Sequence, residues 1–260
     1  MDYLHKTDKP EHEELLWNIP EQKQNTVNII GGNSQNFRTP MKIAEFLSNT
    51  YPVKNANLVL PDALKTKLPP LPNFIFLTST DTGSFADAKE IAQTINTADY
   101  NIMIGDMSKN SITATAVASA LKDTEKPIII TRDAIDLIAP NLTESTLMNE
   151  NLIFLASMPQ LIKLFRAVYY PKMLLLSQPL IQVAEALHKF TLSYPAQIIT
   201  LHNGQILIAK NGNVTVIPLE KTNYTPLNFW FGELAVKIAA LNLYNPNNFN
   251  DATATAILAN

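Results

Sequence analysis

YNIMIGDMSKNSITATAVASALKDTEKPIIITRDA, residues 100–134, reads as a strand, a helix and a second strand. YNIMIGD (100–106) and KPIIITRDA (126–134) hold continuous apolar runs rather than alternating ones. Strands of that kind are covered on both faces, as in a parallel sheet. SITATAVASALK (111–122) between them reads as the connecting helix, and a short helix is expected after the second strand. The same grammar extends toward the N-terminus. TVNIIGG (26–32), NANLVLP (55–61) and NFIFLTS (73–79) are predicted strands. A helix over 39–50 is expected, with Thr39 as N-cap and Pro40 at its first position. KTKLPPLP (65–72) is a proline-rich connection. SFADAKEIAQTI (84–95) places Phe85, Ala88, Ile91, Ala92 and Ile95 on one helical face.

Toward the C-terminus, NLIFLAS (151–157) is a further strand, and helices are expected over 158–168 and 176–190. AQIITLHNGQILIAKNGNVTVIPL (196–219) differs, because Asn203-Gly204 and Asn211-Gly212 divide it into three short strands. Asn-Gly is a strong hairpin signal. Helices at about 229–243 and 247–259 complete the pattern. Residues 1–25 read as a polar arm and 26–260 as one domain, with no linker and no tandem repeat. The expected architecture is α/β in three layers: a mostly parallel central sheet flanked by helices, with an antiparallel hairpin edge near the C-terminus.

Composition narrows the function. The net charge is −3, so no basic surplus exists to neutralise nucleic-acid phosphates, and a nucleic-acid partner is not expected. The chain has no cysteine, which removes disulfides, thiolate metal sites and cysteine nucleophiles. The segment MDYLHKTDKPEHEELLW carries many charges and no apolar run, unlike a signal peptide. The apolar region 151–190 is interrupted by Lys163, Arg166, Lys172, Pro159, Pro171 and Pro179, so no membrane association is expected. A cytoplasmic location follows as the expectation. His5, His12, His188 and His202 are scattered without metal-ligand spacing, and no metal site is expected. No nucleophile elbow or P-loop pattern occurs. Glycine numbers only seven, few for an enzyme that brings backbone close to phosphates.

Several landmarks stand in a telling order. The first strand ends in Gly31-Gly32-Asn33-Ser34, followed by TPMKIAEFL. YNIMIG ends in Gly105-Asp106-Met107-Ser108. The next strand ends in Thr131-Arg132-Asp133-Ala134-Ile135. Ala156-Ser157-Met158 and His202-Asn203-Gly204 follow two later strands. Trp230-Phe231-Gly232-Glu233 then precedes the helical string LAVKIAAL. Over roughly residues 17–260 this order resembles the ADP/ATP-dependent NAD(P)H-hydrate dehydratases of the ribokinase-like superfamily.

That family has Gly-Gly-Ser at the first landmark, a Gly-Pro-Gly-Leu-Gly loop at the second and Asp-Ala-Asp-Ala-Leu at the third. It has Thr-Pro-His, then Lys-Gly, where this chain has Ala156-Ser157-Met158 and His202-Asn203-Gly204. It closes with Gly-any-Gly-Asp at a helix N-terminus. The resemblance implies a lyase repairing hydrated NADH or NADPH, with ADP or ATP and Mg²⁺ as cofactors. It implies Glu233 as the catalytic acid position. Asn203, Gly204 and Gly232 would take nucleotide phosphate, and Gly32, Asn33, Ser34, Gly105 and Asp133 would take substrate. The expected partner is a small molecule, a nucleotide, with a homo-oligomer left open.

The departures shape the expected activity. Trp230 stands where the family has its first glycine, which frees backbone N–H groups to approach phosphate. Glu233 is one methylene longer than the family's aspartate. The chain therefore reads as a divergent homologue with weak or lost catalysis. The other readings are a non-catalytic binding or assembly module, and a small-molecule kinase of the ribokinase type. Each site residue also has a plain structural alternative. Asp133 would cap the short helix, Glu233 would be a first-turn acid favoured by the helix dipole, and the glycine pair would be a tight turn. Trp230 and Phe231 would plug the vacated cleft, or else offer an aromatic shelf to a ring.

Overall fold

The apolar runs pair side by side as strands. They are β1 (Leu4–Lys6), β2 (Gln24–Gly31), β3 (Val53–Pro61), β4 (Phe74–Leu77), β5 (Tyr100–Gly105), β6 (Ile128–Thr131), β7 (Leu152–Leu155), β8 (Gln197–His202), β9 (Gln205–Lys210) and β10 (Asn213–Pro218). The computed structural model describes residues 2–8 and 13–259. Its single sheet has ten strands in the order β1-β10-β9-β8-β7-β6-β5-β2-β3-β4. Every pairing is parallel except β8 with β9 and β9 with β10. The antiparallel hairpins are those the Asn-Gly pairs predict. Asn203 and Gly204 have φ of 48° and 70°, and Asn211 and Gly212 have 48° and 78°, positive at both central positions as a type I′ turn requires. Beyond the hairpins, Leu4–Lys6 lies parallel to β10 and becomes the outermost strand.

The helices are α1 (Arg38–Thr50), α2 (Ala88–Asn96), α3 (Ser111–Ala120), α4 (Asp133–Ile138), α5 (Glu144–Leu147), α6 (Met158–Ala167), α7 (Leu180–Ser193), α8 (Glu233–Tyr244) and α9 (Phe249–Leu258). Side chains of a strand alternate between faces, and both faces here are apolar. Met103, Ile128, Ile130 and Phe154 join the core layer under α2, α3, α4, α6 and α7. Ile102, Ile104, Ile129 and Leu155 join the layer under α1, α8 and α9. Each such side chain contributes about 1.5–3 kcal/mol on burial, so the sandwich fixes strand register strongly. Buried asparagines lock the sheet to its helices: Asn28 Nδ2 donates to the Thr94 carbonyl at 2.9 Å and Asn101 Nδ2 to the Ile95 carbonyl at 3.0 Å.

Four local expectations are corrected, the first being α7, which runs Leu180–Ser193 after Pro179 rather than over 176–190. Phe37, not Thr39, holds the cap position of α1, and Pro40 sits one turn in, where its missing N–H has no intrahelical partner to lose. α2 starts only at Ala88, because Asp87 accepts the Lys89 and Glu90 amides and ends the extended segment before it. α8 starts at Glu233 rather than near 229. Gly232 at φ 101° breaks it from a short turn over Asn228–Trp230.

Candidate functional site

All the parallel strands end on one edge of the sheet, where loops and helix N-termini converge. The centre of that edge is built from the ends of β2, β5 and β6. Gly31 runs so close to Gly105 that a β-carbon on it would lie 2.5 Å from the Gly105 carbonyl oxygen. A β-carbon on Gly232 would lie 2.5 Å from Ile104 Cδ1 and 3.1 Å from Ile43 Cδ1, so α8 begins directly over the end of β5.

The loop Gly31-Gly32-Asn33-Ser34 is tied down by its own side chains. Asn33, 8% exposed, donates from Nδ2 to the Asp106 carbonyl at 2.6 Å and accepts the Gln35 and Asn36 amides at Oδ1. The Ser34 amide donates to the Gly83 carbonyl, and the Lys67 ammonium donates to the Ser34 carbonyl. This segment is therefore a closed turn, with Asn33 as its internal pin.

Asp133 does not cap α4. It is the first residue of that helix, and both carboxylate oxygens accept the Asp106 amide at 3.1 Å. A β-carbon on Gly105 would fall on this carboxylate, so only glycine lets the two loops meet. Burial pushes the Asp133 carboxyl above the usual aspartate range, and the neighbouring Asp106 charge adds to that, while the Asp106 amide pulls the other way.

Two residues outside the sequence-derived set complete the cluster. Arg132 Nη2 lies 3.4 Å from Asp106 Oδ1, with side chains 26% and 19% exposed. The Arg132 backbone has φ 55° and ψ −143°, and Asp106 has φ 57°. Positive φ at a non-glycine residue costs on the order of 1–3 kcal/mol, whereas a largely buried ion pair loses much of its Coulomb gain to desolvation. The pair does not offset the strain, so other contacts must impose it. Gln160 of α6 supplies one, donating to the Arg132 carbonyl at 2.7 Å. Arg132 Nε is buried without a partner. The sequence displays Asp106 and Arg132 in plain view, but nothing in residue type announces a positive φ at Arg.

α8 begins over the end of β5, at the same edge of the sheet. Its first intrahelical bond runs from the Val236 amide to the Gly232 carbonyl, and no side chain caps it, so the amides ahead of Val236 lie beyond the ladder. Glu233 is exposed at its first turn. Trp230 is half-buried against the α1/α8/α9 core layer, edge-on to the fully buried Phe229 with ring centroids 4.6 Å apart. Its indole thus packs into the core, while Phe231 is 49% exposed.

Asn203 and Gly204 lie at the same edge but apart. They follow β8, three strand spacings from β5, or about 14 Å. His202 is buried, and its Nε2 donates to the Gln178 carbonyl at 2.7 Å. Gly204 has open space where a β-carbon would go, so its conformation alone calls for glycine.

Among the described residues, no group of three or more His, Asp or Glu could hold a metal ion, and no helix is long and apolar enough to cross a membrane. His12 lies outside the described residues. Asp133 and Asp106 are already turned to the Asp106 amide and to Arg132. These residues do not make a resident Mg²⁺ site. Mg²⁺ arriving with a nucleotide is held mainly by phosphate oxygens and water.

No family model matches the chain, and no curated protein matches it by sequence. Solved structures do match it. A ribokinase-like superfamily protein from Enterococcus faecalis superposes with a TM-score of 0.63 at 13% identity, over 98% of this chain and 85% of that one. Bacillus subtilis YxkO, described as a UPF0031 family member and a candidate kinase, gives 0.59 at 14% identity, over 96% and 86%. A hydroxyethylthiazole kinase from Pyrococcus horikoshii gives 0.57 at 10% identity, over 94% and 80%. The chain has the ribokinase-like fold.

Proposed function

We propose that this protein binds an adenine nucleotide, ADP or ATP, at the carboxyl edge of the sheet, and that it is a divergent NAD(P)H-hydrate dehydratase homologue with weak or lost catalysis. One observation supports the reading: α8 begins over the end of β5 with no side-chain cap on its first amides, at the same sheet edge where Asp106 follows β5 and Arg132 follows β6. Helix N-termini favour anions because free N–H groups and the dipole act together. Arg132, which follows β6 at the same edge, would supply the cation in this reading. In this arrangement Gly232 and the Glu233 amide take phosphate, and the Glu233 carboxylate is the acid nearest the reacting group.

The weakness of catalysis follows from what the other groups already do. Asp133 is spent on the Asp106 amide, Asn33 on its own turn, and Asn203-Gly204 on a hairpin. A single lost anion-site donor costs about 10²–10³ in rate. Displacement of an acid by one methylene adds a positional loss. Purified protein incubated with hydrated NADPH and ADP should release NADPH far below the ordinary enzymatic scale of about 1 s⁻¹. Turnover at that scale would overturn the weak-catalysis part. A thermal-shift panel of ADP, ATP, AMP, NADH and NADPH tests binding by mass action. Stabilisation by ADP or ATP is expected, and none by any of the five would overturn the nucleotide part.

A kinase reading has one observation of its own, since the solved structures of like fold include a small-molecule kinase. ATP consumption that depends on an added small alcohol would favour it over the dehydratase.

A further inference from the structure

Residues 168–179 join α6 to α7 on the outside of the helical layer that those two helices build. Tyr169 is 92% exposed, Met173 and Leu176 are more than half exposed, and Leu175 is close to half exposed. Ile181, in the first turn of α7, is also close to half exposed. Single exposed apolar side chains are ordinary, but a group of them on one short segment is not. Together the five expose on the order of 600 Å², at the top of the range of about 300–600 Å² for the largest apolar patch on a typical monomer. The nucleotide reading makes no use of this surface, so either can fail alone.

The segment is held in shape by its own polar groups. Gln178 accepts the Leu175 amide at Oε1, 3.1 Å away, and donates from Nε2 to the Met173 carbonyl at 3.2 Å. Its own carbonyl accepts from His202 Nε2. Leu174 is buried in the core layer under α6 and α7, while Met173 and Leu175 on either side of it stay in water. At the other end Tyr170 packs edge-on against Phe165 and Phe190. Tyr169 beside it stands at φ 50°. Positive φ at a bulky residue is strained, and here the strained residue holds its ring in solvent. A surface already fixed in shape gives up little entropy when it is covered. An aromatic ring, a methionine and three aliphatic side chains, with charge confined to the rim, match the make-up of an interface core.

We infer that this segment is the contact through which two copies of the chain associate about a two-fold axis. Area and charge favour a second copy over other occupants. A stable interface covers about 800 Å² on each partner, and the apolar patch with a polar rim of Lys172, Gln178, Gln182 and Glu185 reaches that scale. Across a two-fold axis each patch meets its own copy, so a rim of one sign would repel itself. Here the rim carries both signs: Lys172 Nζ lies 3.1 Å from Glu185 Oε2, and Lys189 shares that carboxylate. Lys172 of one copy then attracts Glu185 of the other.

Sedimentation equilibrium of the full chain over about 1–100 µM reads the association directly. Twice the chain mass is expected at about 10 µM. Leu175→Glu combined with Leu176→Glu places two unpaired carboxylates in the contact and should raise the dissociation constant at least about 100-fold. Both positions are exposed, so circular dichroism of the double variant should match the parent. Tyr169→Gly removes the ring and relieves the backbone, and should weaken the dimer about tenfold while leaving the single chain folded. It also stands in if the double variant misfolds. Trp17→Glu is the control, because Trp17 is as exposed as Tyr169 but lies on the α8/α9 side, where its neighbour Asn18 bonds Asn245. That variant should remain dimeric. A chain that stays single at about 100 µM overturns the proposal, and so does a dimer that survives in the folded loop variants or is broken by Trp17→Glu instead. A single chain that co-sediments with anionic phospholipid vesicles, and loses this in the double variant, would give the face to lipid and overturn it as well.

Discussion

Gly105 and Asp133 carry the local logic of the carboxyl edge. Gly105→Ala puts a β-carbon at φ 91° onto the Asp133 carboxylate, so urea denaturation should show a loss of about 2–4 kcal/mol. Asp133→Ala orphans the Asp106 amide and should cost about 1–3 kcal/mol. Asp133→Asn keeps an acceptor in place and should stay within about 1 kcal/mol of the parent. Asp133 also sets a pH dependence. Its carboxyl is raised in the folded state, so the folded protein holds this proton more tightly than the unfolded chain does. The stability it contributes is full below the ordinary aspartate range and falls as pH rises through the raised folded value. Parent and Asp133→Asn should therefore diverge in that window, the parent losing stability relative to the variant as pH increases. Parallel curves would show that Asp133 does not titrate differently in the two states. At this scale the sequence was half legible. Asp133 stood out as an acid after a strand, but its partner is an amide across a loop, and that pairing depends on backbone angles at Gly105, Asp106 and Arg132 that residue identity does not display.

Elements were easier to read than their ends. Apolar runs such as IIIT and LIFL could hardly be anything but covered strands, and Asn203-Gly204 and Asn211-Gly212 specified their turns. Helix starts were misjudged at α1, α2, α7 and α8 because caps are decided by single residues with several acceptable alternatives. Leu4–Lys6 escaped notice because three residues with a polar flank give no periodicity. The β8–β9 turn offers a sharp test of role. Gly204→Ala should cost about 1 kcal/mol for left-handed backbone without a glycine. ADP stabilisation should persist in that variant, because the turn's φ pattern accounts for both residues. Loss of the ADP response in a folded Gly204→Ala protein would return this turn to the phosphate site.

On the scale of the whole molecule, the two edges of one sheet have different chemistry. The carboxyl edge gathers helix amides, a strained acid–arginine pair and glycines that allow close approach. The amino edge holds a small cavity lined by Tyr100, Gln197, Lys210 and Phe249 among others. Fold class was legible because parallel sheets write themselves as repeated apolar runs. The second edge was not, because Tyr100, Gln197, Lys210 and Phe249 come from four separate segments and share no motif. The central claim is that an adenine nucleotide sits at the carboxyl edge over the start of α8. Amide hydrogen exchange with and without saturating ADP tests it most directly. The account predicts slowed exchange at residues 31–34, 105–107 and 231–235, with none around 99–101 and 195–198. Saturable ADP binding that leaves 231–235 unprotected, or that protects the amino edge instead, would contradict it.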